Sequence, residues 1–188
     1  MARKKEYKEE EVIEKAMDLF WRNGYESTSV RMLEKEMGIN QFSIYSSFGN
    51  KKGVFLKSLN CYKKKAKLEL IDKLKNSSDG IESIKQYFYD FINFSKDIQL
   101  NKGCLITNTV NELGEKADKE IISEILNFAA SVKKVFIQKL ESNSLKTTKT
   151  INKQANYLMI SLQGLSVASK MFDQEQLNDF IESTFKNL

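Results

Sequence analysis

Between Lys51 and Leu188 apolar residues recur at intervals of three and four, and no proline interrupts any part of the chain. That spacing gathers apolar side chains on one face of a helix, and the strict alternation of a half-buried strand is absent. The expected fold class is therefore all-α. The spacing predicts helices over residues 51–74, 81–96, 103–114, 118–141, 150–171 and 174–187, with a plain loop at Asn76-Ser77-Ser78-Asp79-Gly80. A length of 188 residues suits one sizeable helical unit or a small domain joined to a larger one.

The N-terminal part has a more particular pattern. A helix over residues 8–23 carries Ile13, Ala16, Met17 and Phe20 on one stripe and ends at Gly24. Val30, Leu33 and Met37 share the face of a second helix, which Gly38 breaks, and Asn40 is suited to cap a third that runs from Gln41 to Phe48. Ile44 and Phe48 fall on the inner face of this third helix, whereas Gln41, Phe42, Ser43, Ser46 and Ser47 are left for its outer side. Two apolar-faced helices across so short a turn form a helix-turn-helix, whose second member enters the major groove of DNA. The same turn would also serve any small three-helix bundle.

Charge adds a second pointer. Asn50 reads as the N-cap of the fourth helix, which puts Lys51 and Lys52 in the first turn, where the helix dipole disfavours cations. A phosphate at that helix N-terminus would compensate them. Residues 1–50 hold 8 Lys/Arg and 9 Asp/Glu, so the reading unit is not basic overall. The positive charge sits beside it, at Arg3-Lys4-Lys5 and in residues 51–67, which contain seven lysines and no acid. Basic edges around a neutral reading face suit phosphate contacts, although Lys63, Lys64, Lys65 and Lys67 equally suit a solvated helix face.

Other classes find little support. There is no histidine, and the two cysteines, Cys61 and Cys104, form no CxxC pair, which argues against a structural zinc site or a disulfide framework. No GxSxG, GxGxxG or GxxxxGK[ST] motif occurs, so neither an enzyme nor a bound cofactor is expected. No run of 18 apolar residues and no apolar signal-peptide centre is present, so the cytoplasm is the expected location and no membrane is expected as a partner.

Ala16, Leu19, Phe20, Gly24, Tyr25, Thr28, Val30, Leu33, Gly38, Ile39, Tyr45, Phe48, Lys51 and Phe55 together resemble, in order and spacing, the N-terminal signature of TetR-type bacterial transcriptional regulators. The words GINQFSIYSSFGNKKGVF, then Tyr62, and Gly103-Cys104-Leu105 at the sixth helix resemble one subgroup of that family. The resemblance covers the first third of the chain closely, and the remainder only in length and helicity. It implies about nine helices: a helix-turn-helix DNA-binding domain over residues 1–50 and an effector-binding and dimerisation domain over 51–188. It further implies a ligand-responsive homodimer, a repressor released from a palindromic double-stranded operator by a small molecule. Carried over residue by residue, Thr28, Tyr45 and Lys51 would contact phosphates, with Arg31 a lesser candidate, and Gln41, Phe42 and Ser43 would face base edges. Phe42 departs from the small residue common at its position, and Ser47 from the frequent histidine.

In the larger domain, Cys104, Asn108 and Glu112 recur every four residues on one face of the sixth helix. If that face turns inward it would line a ligand cavity, and if outward it would meet solvent. Tyr62, Phe88, Phe91, Phe128 and Tyr157 are candidates for the cavity wall or for plain core. Leu158, Leu162, Leu165 and Ser169 of the eighth helix, with Leu177, Phe180, Ile181 and Thr184 of the ninth, are candidates for pairing two subunits through a four-helix interface. Two alternatives stay open at this level: a helical module that binds protein, and a small-molecule-processing helical enzyme.

Overall fold

The computed structural model describes residues 7–96, 102–114, 118–142, 145–186 and 188, so Arg3-Lys4-Lys5 and Asn187 lie outside the described residues. Nine helices account for the described chain: α1 (Glu9–Asn23), α2 (Val30–Met37), α3 (Gln41–Phe48), α4 (51–76), α5 (Gly80–Ser95), α6 (Leu105–Leu113), α7 (Lys119–Glu141), α8 (Thr148–Ala168) and α9 (Gln174–Lys186). Among those residues there is no strand beyond an isolated bridge at Lys96. No described helix is long and apolar enough to cross a membrane.

Local chemistry sets most of the ends. Ser29, Asn40, Asn50 and Thr147 each cap a helix by accepting a backbone N–H three residues on. Thr147 thus starts α8 two residues earlier than apolar spacing predicts, and the chain leaves the helix at Ser169. Gly38 takes the left-handed conformation that closes α2. α4 is longer than predicted: regular over Lys51–Ala66, it passes through a π turn at Lys67–Ile71 and ends at Asn76. The wider turn leaves Leu68 in solvent while Leu70, Ile71 and Leu74 stay buried.

The apolar side chains form two clusters. The first gathers α1, α2 and α3 around α4 through residues such as Phe20, Leu33, Ile44, Phe55 and Leu59, and extends to Leu105, Leu113 and Ile121. Phe20 meets Phe55 edge-on at 4.9 Å, and burial of each such ring contributes about 1.5–3 kcal/mol. The second joins the far end of α4 to α5, α7, α8 and α9 through Leu74, Phe88, Phe136, Leu158 and Ile181. Phe94, Cys104 and Phe128 pack against both clusters and mark the seam between them.

Candidate nucleic-acid interface and interior cavity

The turn between α2 and α3 has three residues, Gly38-Ile39-Asn40. Gly38 donates its N–H to the Glu34 carbonyl at 3.0 Å, and Asn40 Oδ1 accepts the Ser43 N–H at 2.8 Å. Ile44 and Phe48 pin the inner face of α3 to the first cluster. Gly53 lets α3 sit against the start of α4, because a Cβ there would lie 1.9 Å from the Phe48 carbonyl oxygen. The outer edge is then fixed: Phe42 is 80% exposed, Tyr45 is 41% exposed, and Gln41 and Ser46 are also exposed. Gln41 Nε2 donates to Tyr45 Oη at 3.0 Å, which orders both side chains on that edge. Ser43 is half-buried, and Ser47 is half-buried beneath Tyr7, whose hydroxyl lies 2.6 Å from Ser47 Oγ. Arg31 stands exposed on α2.

Two residues expected to contact phosphate are engaged within the chain. The Thr28 side chain is fully buried and its hydroxyl donates to the Gly24 carbonyl at 2.6 Å. Lys51 Nζ donates to the Tyr25 carbonyl at 3.0 Å and lies 4.4 Å from the centre of the Tyr25 ring. Lys52 is likewise occupied, by Asp118 at 3.1 Å and Glu120 at 3.5 Å. That hydrogen bond to Asp118 holds the ammonium above its ordinary pKa, while the Glu120 backbone N–H and then Lys52 hold the Asp118 carboxyl below its own. The cations that sequence reasoning assigned to phosphate are thus compensated within the chain. Lys67 is exposed and pairs with Asp72, which favours the solvated-face reading for it, whereas Lys63 is half-buried and pairs with Glu124 of α7. Glu34 was missed: its carboxylate accepts the Gln41 N–H at the N-terminus of α3, a contact that only the fold brings about.

The polar face of α6 does not line a cavity as one unit. Cys104 is the N-cap residue, and it does line an interior cavity with Tyr62, Phe91 and Phe128. Asn108 donates to the Lys102 carbonyl and accepts from Lys170, outside the cavity lining. Glu112 instead reaches the loop after α1, where its two carboxylate oxygens accept the N–H groups of Tyr25 at 2.7 Å and Glu26 at 2.8 Å. The same loop is gripped from α4 by Lys51, so it is held by both helices. Gly24 makes this possible, since a Cβ at that position would stand 2.7 Å from the Glu112 carboxylate.

Phe88 is core, between Phe136 and Phe185, and Tyr157 is half-exposed on the outer side of α8; neither lines the cavity. The cavity volume is about 50 Å³, and its wall includes Tyr87, Met159 and Gln163, which sequence spacing did not single out. Tyr62 Oη donates to Cys104 Sγ at 3.2 Å, and burial pushes the hydroxyls of Tyr62 and Tyr87 well above their usual pKa.

The proposed pairing residues also need correction. Leu158, Leu165, Ser169, Leu177, Ile181 and Thr184 are buried within the chain itself, and Leu162 lines the cavity. Only Phe180 of that set is exposed. The apolar residues that α8 turns outward are Tyr157, Ile160 and Val167, continued by Met171 and Phe172. The inward stripe carried the stronger leucine signal and belongs to the second cluster.

Among known proteins, a family model described as bacterial regulatory proteins, tetR family, matches residues 12–57. The chain is 30% identical over 112 residues to the HTH-type transcriptional regulator YezE of Bacillus subtilis, a match covering 60% of this chain and 58% of that protein. It is 22% identical over 140 residues to IcaR of Staphylococcus aureus, the negative transcriptional regulator of the biofilm operon icaADBC, covering 74% of this chain and 73% of IcaR. A solved structure of the TetR family regulator CifR, a cysteine mutant bound to a 26 bp operator duplex, superposes with a TM-score of 0.85 at 21% identity over 98% of both chains. A TetR regulator from Legionella pneumophila superposes at 0.82 with 18% identity, covering 100% of this chain and 98% of that one. These superpositions establish the all-α fold.

Proposed function

We propose that this chain, which belongs to the tetR family of bacterial regulatory proteins, is a DNA-binding transcriptional regulator that acts in the cytoplasm as a homodimeric repressor. In this reading residues 1–50 are the reading head and residues 51–188 the effector-binding and dimerisation body. The observation that carries it is the outer edge of α3, where Gln41, Phe42, Tyr45 and Ser46 are exposed while Ile44 and Phe48 anchor the opposite face. Gln41 would have to release Tyr45 to bond an adenine with both ends of its amide, and Phe42 is placed to touch a thymine methyl, so an A·T-leaning half-site is expected. Arg31 and Tyr45 serve as side-chain phosphate contacts. Thr28 and Lys51 act through the loop they hold.

The outward stripe of Tyr157, Ile160, Val167 and Met171, with Phe172 and Phe180, forms the dimer surface in this reading, since an apolar patch of this kind favours a partner. Two reading heads then fall about 34–36 Å apart, one turn of a palindromic duplex. A small molecule in the cavity shifts α4 and α6, which both grip the loop at Tyr25 and Glu26, and so favours a head separation that misses successive grooves. Similarity to the negative regulator IcaR supports repression rather than activation.

The test uses duplexes selected from genomic DNA by the full chain, followed by fluorescence anisotropy. Affinity should fall steeply as salt rises. Gln41→Ala and Phe42→Ala should each lower affinity for the selected duplex by roughly 5- to 150-fold while hardly changing binding to unrelated DNA. Equal binding by both variants and the unaltered chain would sink the assignment, and salt-independent binding would favour a protein partner.

A further inference from the structure

The interior cavity carries a statement about what it accepts. None of its fourteen lining residues is charged. The neighbouring cations are turned elsewhere: Lys170 donates to Asn108, and Lys102 pairs with Asp18 at 3.3 Å and lies 5.0 Å from the centre of the Trp21 ring. A charged occupant would lose its hydration with no counter-charge in the wall, at a large cost.

Besides Thr107 and Gln163, two tyrosine hydroxyls meet this largely apolar space. Tyr62 gives its hydroxyl proton to the Cys104 sulfur, a weak acceptor that an oxygen would replace favourably. Tyr87 is 5% exposed, lines the same cavity, and its hydroxyl makes no hydrogen bond to a described residue. Buried tyrosine hydroxyls ordinarily have a partner.

Size supplies the third constraint. A volume of about 50 Å³ holds only a few waters, whereas a dry cavity that binds benzene measures about 150 Å³. An occupant of single-ring size must therefore push the wall outward. Met159 and Leu162, both half-buried, are the yielding part. Tyr62 is the coupled part, for its ring meets Trp21 of α1 edge-on at 4.9 Å, and Trp21 Nε1 donates to the Gly103 carbonyl at 3.1 Å at the threshold of α6.

We infer that the effector is an uncharged, largely apolar molecule of about one aromatic ring, bearing one hydrogen-bond-accepting oxygen that takes the tyrosine hydroxyls, and that its arrival is passed to the reading head through Tyr62 and Trp21. This builds on the effector-responsive reading above. Expansion of an undersized cavity makes binding impossible without displacing a wall, and one wall is the packing partner of α1.

The test compares three matched probes on the full chain by calorimetry, with emission from Trp21, the sole tryptophan, as the site reporter. Acetophenone supplies ring and oxygen, ethylbenzene lacks the oxygen, and benzoate adds a charge. Acetophenone should bind saturably and change Trp21 emission, with ethylbenzene about tenfold weaker and benzoate at least about a hundredfold weaker. Tyr87→Phe should erase most of the preference for acetophenone over ethylbenzene. Ala129→Phe, which fills the cavity, should abolish acetophenone binding, whereas Leu126→Ala on the exposed side of the same helix should not. Benzoate within about threefold of acetophenone, acetophenone binding that survives Ala129→Phe, or no binding by any probe would each overturn the inference. Duplex binding and its loss in Phe42→Ala are read separately, so the DNA-binding assignment can stand when this one falls.

Discussion

The reading edge and the cavity wall differ in how they are made. Every side chain of the edge comes from two adjacent helices and one turn, within residues 31–46, and each is pointed outward by its own helix. The cavity wall comes from α4, α5, α6, α7 and α8, so that Tyr62 and Gln163 share a space though a hundred residues separate them. A site of the first kind survives as long as one short helix is anchored. A site of the second kind exists only while five helices keep their mutual packing, which also makes it responsive to whatever enters it.

That contrast is broken most severely within α3 itself. Phe48→Ala removes a ring that is 8% exposed and should destabilise the chain by about 3–5 kcal/mol in urea unfolding. Phe42→Ala, six residues away and 80% exposed, should change stability by no more than about 0.5 kcal/mol while impairing DNA binding. Equal stability losses would mean that the two faces are not divided as described. Next in size is Gly53→Ala, whose methyl would collide with the Phe48 carbonyl. It should cost about 1–3 kcal/mol and weaken duplex binding through displacement of α3; unchanged melting and binding would show that α3 is not seated through this contact.

Glu112→Ala tests whether the distributed site reaches the local one. It strips two N–H groups of a charged acceptor and should cost about 1 kcal/mol, with water replacing part of the loss. Hydrogen exchange at the Tyr25 and Glu26 amides should accelerate while exchange in α9 is unaffected, and an unaltered rate at both amides would remove α6 from the coupling. The mildest effect concerns pH. Burial raises the pKa of Tyr62 and Tyr87 above the ordinary 10.0, so the folded chain holds these protons more tightly than the unfolded chain. Their contribution to stability is therefore complete below about pH 10 and declines as pH rises beyond it. Spectroscopic titration should find both still protonated after exposed tyrosines have ionised, and early ionisation of either would mean that the cavity is wetter than its lining suggests.

The helix-turn-helix, its cap at Asn40, and the outward set Gln41, Phe42 and Ser46 were legible from the chain, because capping and helical periodicity act over three or four residues. The all-α class and most helix limits were legible for the same reason. Periodicity names two faces of a helix without saying which neighbour each will meet. Hence Leu158, Leu165 and Ile181 read as a pairing stripe and are core, Phe88 reads as a cavity wall and is core, and Glu112 reads as a pocket group and clamps a loop. Lys51 and Lys52 made the same point through charge: a cation at a helix N-terminus signals an anionic or dipolar partner, yet only the fold supplies the Tyr25 carbonyl and Asp118. What the amino-acid order determined by itself was local conformation and the two-sidedness of each helix. Which side is buried, and which distant groups meet in the cavity, was decided by tertiary packing, since contacts between helices depend on volumes and angles that no single segment contains.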